Sequence, residues 1–474
     1  MRLVLINPPE KTVVRANLPA TIEELRGANP SIGLFYVAGA AKRAKNWEIK
    51  LIDAHAENLD YTQTAQRAFE FKPELIGITF NTFTYLDAIN AARAVKRKLP
   101  DVPVLAGGVQ PLLSPEETLS QPEFDAIFSG EADLIFHDIL EQFERGGLIG
   151  LARAKIEGLA VKGNDMADFH HAPLIKELDE IPMPAWELSP YQKYSSLITP
   201  HKPVMLMMTT RGCPYRCRYC SLSATGKIWR AHSANRVVDE MVSCQKLGIK
   251  YLLFYDEIFT VSRKRIFEIC ERIGAIGLKI PWMARGTVDT VDYEELLAMK
   301  RAGCHTATFG VESGSERILE VLGRKQNLAK ASETFRAAKK AGLSVIAYFM
   351  IGTPTETLED VKASMRLANK LDLNHVHASI FIPYPASDIY EDALRSGVIK
   401  SDYWRLFAVN PKPDFVSPFW TENFSEQELQ KLLFKFYRGF YMRPTRALKK
   451  AFMSIKELKL KLAFNALKAL LRGS

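Results

Sequence analysis

The chain has 474 residues, 47% of them hydrophobic and 25% charged, a globular balance that excludes bulk disorder, collagen and a disulfide scaffold. At roughly 100–200 residues per domain it holds two to four domains. The net charge of +9 is concentrated at the end, where residues 441–474 carry nine basic residues against one acid, so the body is near neutral and no nucleic-acid partner is expected.

The chain opens on MRLVLINPPE, which reads as a short buried strand into a Pro-Pro turn rather than a signal peptide. No run of about 18 apolar residues follows, and three of the six cysteines crowd into eight residues, which suits no disulfide framework. A cytoplasmic protein is the expectation. Strands are predicted over 3–7, 47–55, 75–81, 102–108 and 124–131, with helices over 31–45, 62–71, 84–100 and SPEETLSQ (114–121) between them. Repeated strand–helix units imply a doubly wound parallel sheet, whose ligand sits at the carboxyl ends of the strands. This first domain is taken as 1–145. Residues 146–200 include a proline- and aromatic-rich segment without clear period, DEIPMPAWELSPYQKY, and read as a linker.

From 201 to 385 the rhythm restarts, with strands predicted over 204–210, 251–257, 281–286, 306–312, 344–352 and 375–383. Six such units suggest a partial (β/α)6 barrel, open on one side, with its chemistry at the carboxyl ends of the strands. Residues 386–474 form an aromatic-rich, mainly helical extension. Within it Leu448, Phe452, Ile455 and Leu462 recur at helical steps beside Lys449, Lys450, Lys456 and Lys461. That tail suits a helix docked on the barrel, or an interfacial helix on anionic lipid at the inner face of the membrane.

The strongest signal is TTRGCPYRCRYCS, where Cys213, Cys217 and Cys220 follow the first barrel strand as C-x3-C-x2-C. Three thiolates at this spacing ligate one soft metal centre, whereas a closed zinc site wants a fourth ligand that is absent nearby. Cys244, Cys270 and Cys304 stand singly and read as small buried hydrophobes.

This loop closely resembles that of the radical S-adenosylmethionine (SAM) superfamily, with Tyr219 as its aromatic residue. The resemblance implies a 4Fe-4S cluster on the three cysteines, an open iron that chelates SAM, and an external one-electron reductant such as flavodoxin or ferredoxin. It extends along the barrel. FYDEIFT supplies Asp256 and Glu257 for the SAM amino group, and FGVESGSERIL supplies Glu312 and Ser313 for ribose and carboxylate. Arg285 could pair with a carboxylate, and MIGTPTET resembles the family's turn through Gly352, Pro354, Glu356 and Thr357.

In the first domain, Asp53-x-His55, Thr79 and the pair Gly107-Gly108 resemble the cobalamin-binding fold, although Asn58 stands where its D-x-H-x-x-G pattern has glycine. His55 is then either the lower ligand of cobalt or a loop histidine beside a corrinoid held without it. Together the two resemblances imply a cobalamin-dependent radical SAM enzyme that functionalises an unactivated carbon, by C-methylation first. A non-methylating cyclase, oxidase or ring-contraction enzyme is second, and a corrinoid-sensing regulator third. The substrate would be a small molecule or, with an interfacial tail, a lipid or isoprenoid-like compound.

Overall fold

The computed structural model describes residues 1–14, 27–221 and 227–443; the predicted tail helix over 445–471 lies outside them. The N-terminal sheet contains β1 (Arg2–Asn7), β2 (Glu48–Asp53), β3 (Leu75–Phe80), β4 (Val104–Gly108), β5 (Ala126–Phe128) and β6 (Leu159–Val161), in the order β2-β1-β3-β4-β5-β6. Its strands carry near-continuous apolar runs such as Leu3–Ile6, buried on both faces, because helices cover each side. The chain steps outward from β1 to β2 and returns to β3 on the other side of β1. The crevice at that reversal, at the carboxyl ends of the strands, is where such a sheet takes its ligand.

Two features differ from the sequence expectation. A helix over Phe136–Arg153 runs through residue 145 and breaks its geometry at Gly146 and Gly147. Beyond it β6 pairs antiparallel with β5, inside the stretch taken as linker, so the first unit extends past 145. Three residues are too few to show the alternation that marks a strand. The remaining linker packs closely as it crosses. Gly39 in helix Ile32–Ala41 lies under the carbonyl of Met183, which a Cβ there would overlap.

The second sheet begins at β7 (Val204–Met207). A two-stranded antiparallel ribbon follows, β8 (Thr210–Arg211) with β9 (Arg230–Ala231). Then come β10 (Tyr251–Phe254), β11 (Trp282–Thr287), β12 (Cys304–Glu312), β13 (Ser344–Ile351) and β14 (His375–Ile380), in the order β14-β13-β12-β11-β10-β7 with every pairing parallel. This is the expected partial barrel. Helices start outside it on side-chain caps from Ser233, Ser262, Asp292, Asn327 and Thr357, each satisfying a backbone N–H that the first turn leaves free. Helix Glu426–Tyr441 covers the edge strand β14. The Tyr437 hydroxyl donates to Ala378 O (2.8 Å) and accepts from Ala378 N (3.0 Å), and Tyr441 does the same at Val376. The edge therefore offers no template to another chain along this stretch.

The two units meet through buried charge. Arg211 on β8 makes a bidentate pair with Asp133 (2.9 and 3.0 Å), and Arg230 on β9 makes another with Glu131 (2.7 and 2.8 Å). Both carboxylates lie just beyond β5. Tyr36, under the Arg211 guanidinium, donates across the same interface to Glu240 (3.1 Å). Removing one partner of a buried ion pair typically costs about 3–5 kcal/mol, while replacing both by apolar groups can be neutral. Glu131 stays within 3.5 Å of Arg211, so Asp133→Ala should lose about 3 kcal/mol, the low end of that range. Adding Arg211→Met should recover most of the loss in urea unfolding. An Asp133→Ala protein as stable as the parent would show that the pair carries no weight.

Candidate functional site

The cysteine loop leaves β8 through Gly212, whose φ of 79° belongs to the left-handed region. It is pinned at Arg218, whose N–H donates to Leu322 O (2.9 Å) and whose carbonyl accepts from Ile389 N (3.0 Å). The Arg218 guanidinium also reaches Val321 O (3.1 Å) and Asp392 (2.7 Å). So held, Cys213, Cys217 and Cys220 all face one cavity of about 220 Å³, with Glu257, Glu312 and Arg324 on its walls. Three thiols lining one cavity suit a sulfur-rich cluster.

The facing wall is strained. Glu312 ends β12 with φ 64° at a register shift between Gly310 and Glu312, a conformation that costs a non-glycine residue on the order of 1–3 kcal/mol. It brings the carboxylate within 3.9 Å of the Arg324 guanidinium. Burial pushes the Glu312 carboxyl up, against the pull of Arg324 and the Tyr219 hydroxyl. Burial also raises the Cys213 thiol.

The sequence-predicted contacts sort into two groups. Tyr219, Glu257 and Glu312 line the cavity. Asp256 turns inward: it is fully buried, and its oxygens accept from Thr209 N, Thr209 Oγ1 and Thr210 N (2.5, 2.5 and 3.1 Å), holding the turn before the cysteines. Its neighbour Glu257 keeps a buried Oε2 without a partner among the described residues. Ser313 is also buried, with its hydroxyl against Ser364 (3.3 Å) and the N–H of Ser315 (3.2 Å). Gly352, at φ 77°, donates to Glu356 (2.5 Å) beneath Leu429; burial pushes Glu356 up to about 7. Arg285 lies on the ring of Tyr255, 3.5 Å from its centroid, with Nε buried and unpartnered. Sequence reasoning missed Arg324, Thr287 and Gly310, which line the cavity but carry no motif spacing. The remaining cysteines, Cys244, Cys270 and Cys304, are buried as expected.

The residues singled out in the first unit gather at the ends of β2, β3 and β4. Asp53 is buried and accepts from Asn7 Nδ2 (2.8 Å), Ala56 N (3.1 Å) and the Tyr194 hydroxyl (2.8 Å), so it ties the strand end to the crossing segment. His55 Nδ1 stands 3.6 Å from Glu10. Asn58 adopts φ 52°, the left-handed form that glycine would take and that asparagine tolerates best among other residues. The two glycines do different work. Gly108 has φ 102°, and a Cβ there would overlap Phe80 O and touch Thr79 Oγ1 (3.0 Å), whereas a Cβ on Gly107 would meet nothing within 4 Å among the described residues. The space over Gly107 is thus open, which fits a bulky ligand lying across the strand ends.

A doubly wound sheet clamped to a half-barrel that carries a three-cysteine loop is a two-unit architecture, and the comparisons match each unit. Residues 19–140 match the B12 binding domain and residues 207–368 the radical SAM superfamily. An uncharacterized methyltransferase of Pyrococcus horikoshii is 34% identical over 95% of both chains. An anaerobic magnesium-protoporphyrin IX monomethyl ester cyclase of Cereibacter sphaeroides is 25% identical over 94% of this chain and 71% of its own. The solved structure of the radical SAM methyltransferase TsrM from Kitasatospora setae, with cobalamin and a 4Fe-4S cluster bound, shares the fold at TM-score 0.66 and 18% identity, over 84% of this chain and 75% of that one. The chain belongs to the cobalamin-dependent radical SAM enzymes, whose cofactors are a 4Fe-4S cluster, SAM and cobalamin. No helix among the described residues is long and apolar enough to cross a membrane.

The glycine geometry predicts a contrast. Gly108→Ala should destabilise by about 1–3 kcal/mol, the cost of a forbidden backbone conformation, before any clash is counted. Gly107→Ala should leave the melting temperature nearly unchanged. Equal losses in thermal unfolding would contradict this reading of the β4 end.

Proposed function

We propose that the chain is a C-methyltransferase acting on an unactivated carbon, with Cys213, Cys217 and Cys220 holding the cluster. The observation that carries the proposal is the arrangement of the three thiols. They face one cavity at the carboxyl end of the half-barrel, on the loop that follows the arginine clamped to the B12-type domain. When bound, the three cofactors supply reductive cleavage of SAM, hydrogen abstraction from carbon and a methyl group for that carbon.

The chain's own groups bind and orient. The unpartnered Oε2 of Glu257 is free to accept a hydrogen bond from an ammonium group in the cavity, a strong contact in a buried site. Glu312 and Tyr219 flank the same space and suit ribose hydroxyls. Arg285, stacked on Tyr255, stands close enough to Glu257 to pull on its carboxyl and suits a carboxylate. On the other unit, the open backbone at Gly107, with Thr79 paired to it on β3 and His55 after β2 at the same edge of the sheet, forms the floor for the corrinoid. The buried clamp between the units fixes the distance between the two sites, so a substrate is held between them.

The similarity to a magnesium-protoporphyrin ester cyclase favours one second reading, cyclisation without methyl transfer. SAM labelled in its methyl group separates the two. C-methylation places label in the product and releases deoxyadenosine, cyclisation releases deoxyadenosine with no label in the product, and a sensor releases none. In the same preparations, Cys213→Ala, Cys217→Ala and Cys220→Ala should each lose the cluster and all SAM cleavage. Undiminished iron in any one of them would remove that residue from the ligand set.

A lipid or isoprenoid-like substrate rests on the basic tail. Each Lys or Arg near an anionic surface adds about 1 kcal/mol. Sedimentation with anionic vesicles should therefore be salt-sensitive and should fall when residues 445–474 are deleted. Equal sedimentation of both proteins would leave no reason to favour a lipid.

A further inference from the structure

Arg324 is a half-buried cation that lacks the bidentate carboxylate fork serving Arg211 and Arg230. Its side chain is 13% exposed. Two acceptors unrelated to the cysteines position it: Nη2 donates to Gly310 O (2.8 Å) and Nε to Gln326 Oε1 (2.9 Å). Nη1 then points at Cys217 Sγ, at 3.9 Å. Glu312 Oε1 stands at the same distance from Nη1, 3.9 Å, an ion pair too long for a hydrogen bond between nitrogen and oxygen. The guanidinium is therefore held over a thiol by its own backbone and side-chain anchors.

We propose that Arg324 tunes the cluster, acting as a positioning residue through the sulfur of Cys217. This rests on the reading that the three cysteines ligate the cluster. An external donor of the ferredoxin or flavodoxin type gives the cluster one electron, and no bond is made or broken in that step. The reduced cluster with its thiolates is one charge more negative than the oxidised one. A fixed positive charge and an N–H directed at a ligand sulfur favour the reduced state more than the oxidised state, and so raise the reduction potential. Such a contact would move the cluster toward the range of a biological donor. Lysine could supply the charge at this position but not the planar fork that reaches Gly310, Gln326 and Cys217 together.

The test uses the full-length protein reconstituted anaerobically, without SAM. Iron and sulfide are counted, and the cluster is titrated against potential by electron paramagnetic resonance. Arg324→Met should keep its iron but become harder to reduce. At a fixed poise its ratio of reduced to oxidised cluster should fall at least about tenfold, equivalent to 59 mV for a one-electron couple. Arg324→Lys should shift the same way by less. Full iron with an unmoved potential in both variants would overturn the proposal and leave the cysteine reading intact. If Arg324→Met does not hold the cluster, Arg324→Lys decides: a negative shift supports the proposal and an unmoved potential overturns it. Absence of iron from the unsubstituted protein would instead sink the cysteine reading, and this inference with it.

Discussion

The arrangement depends on four charges at the interface, three of them buried. Arg211 and Arg230 are register partners on the short β8–β9 ribbon, and Asp133 and Glu131 are two residues apart beyond β5. Desolvating four such groups is costly unless each finds a fork-to-fork partner, and here each does. A register slip of one residue in the ribbon would turn an arginine to the wrong face. The clamp therefore specifies one docking geometry. Arg211 also stands two residues before Cys213, so the same contact that joins the units sets where the cysteine loop begins.

Other contacts extend this constraint. Asp256 holds the Thr209–Thr210 turn from beneath, and Arg265 caps the same turn by donating to Thr209 O (2.9 Å). At the other end of the interface, Phe83, just beyond β3, packs edge-on against Tyr384 after the last barrel strand and Trp404 of the extension (5.7 and 6.2 Å). The half-barrel and the doubly wound sheet are thus tied at two places, one charged and one aromatic. Glu240 lies inside the interface, where burial pushes its carboxyl up to about 7 even beside Arg236.

Much of the fold was legible because parallel strands buried on both faces read as continuous apolar runs. Each predicted strand from LVLIN to HVHASIFIP is present. The cysteine loop was legible because ligand spacing is local. What escaped was non-local or short. The three-residue β6 has no period to read, and helix Phe136–Arg153 was lost across its Gly-Gly break. The clamp joins residues nearly a hundred positions apart. Sequence alone could not separate Asp256 from Glu257, since adjacent residues at a strand end point opposite ways. One turns into Thr209 and the other into the cavity. Arg324 was invisible for the same kind of reason: its role comes from the acceptors that aim it, Gly310 and Gln326, not from a motif.

The central claim is that the clamp holds the carboxyl ends of the two sheets together, so that cluster and corrinoid work on one substrate between them. The most direct measurement is pulsed electron paramagnetic resonance on the reconstituted protein carrying both a reduced cluster and paramagnetic cobalt. The account predicts mutual dipolar broadening of the two signals in the intact chain, weakened when Arg211 and Arg230 are both replaced. Two superimposed, unperturbed signals in the intact chain would contradict it.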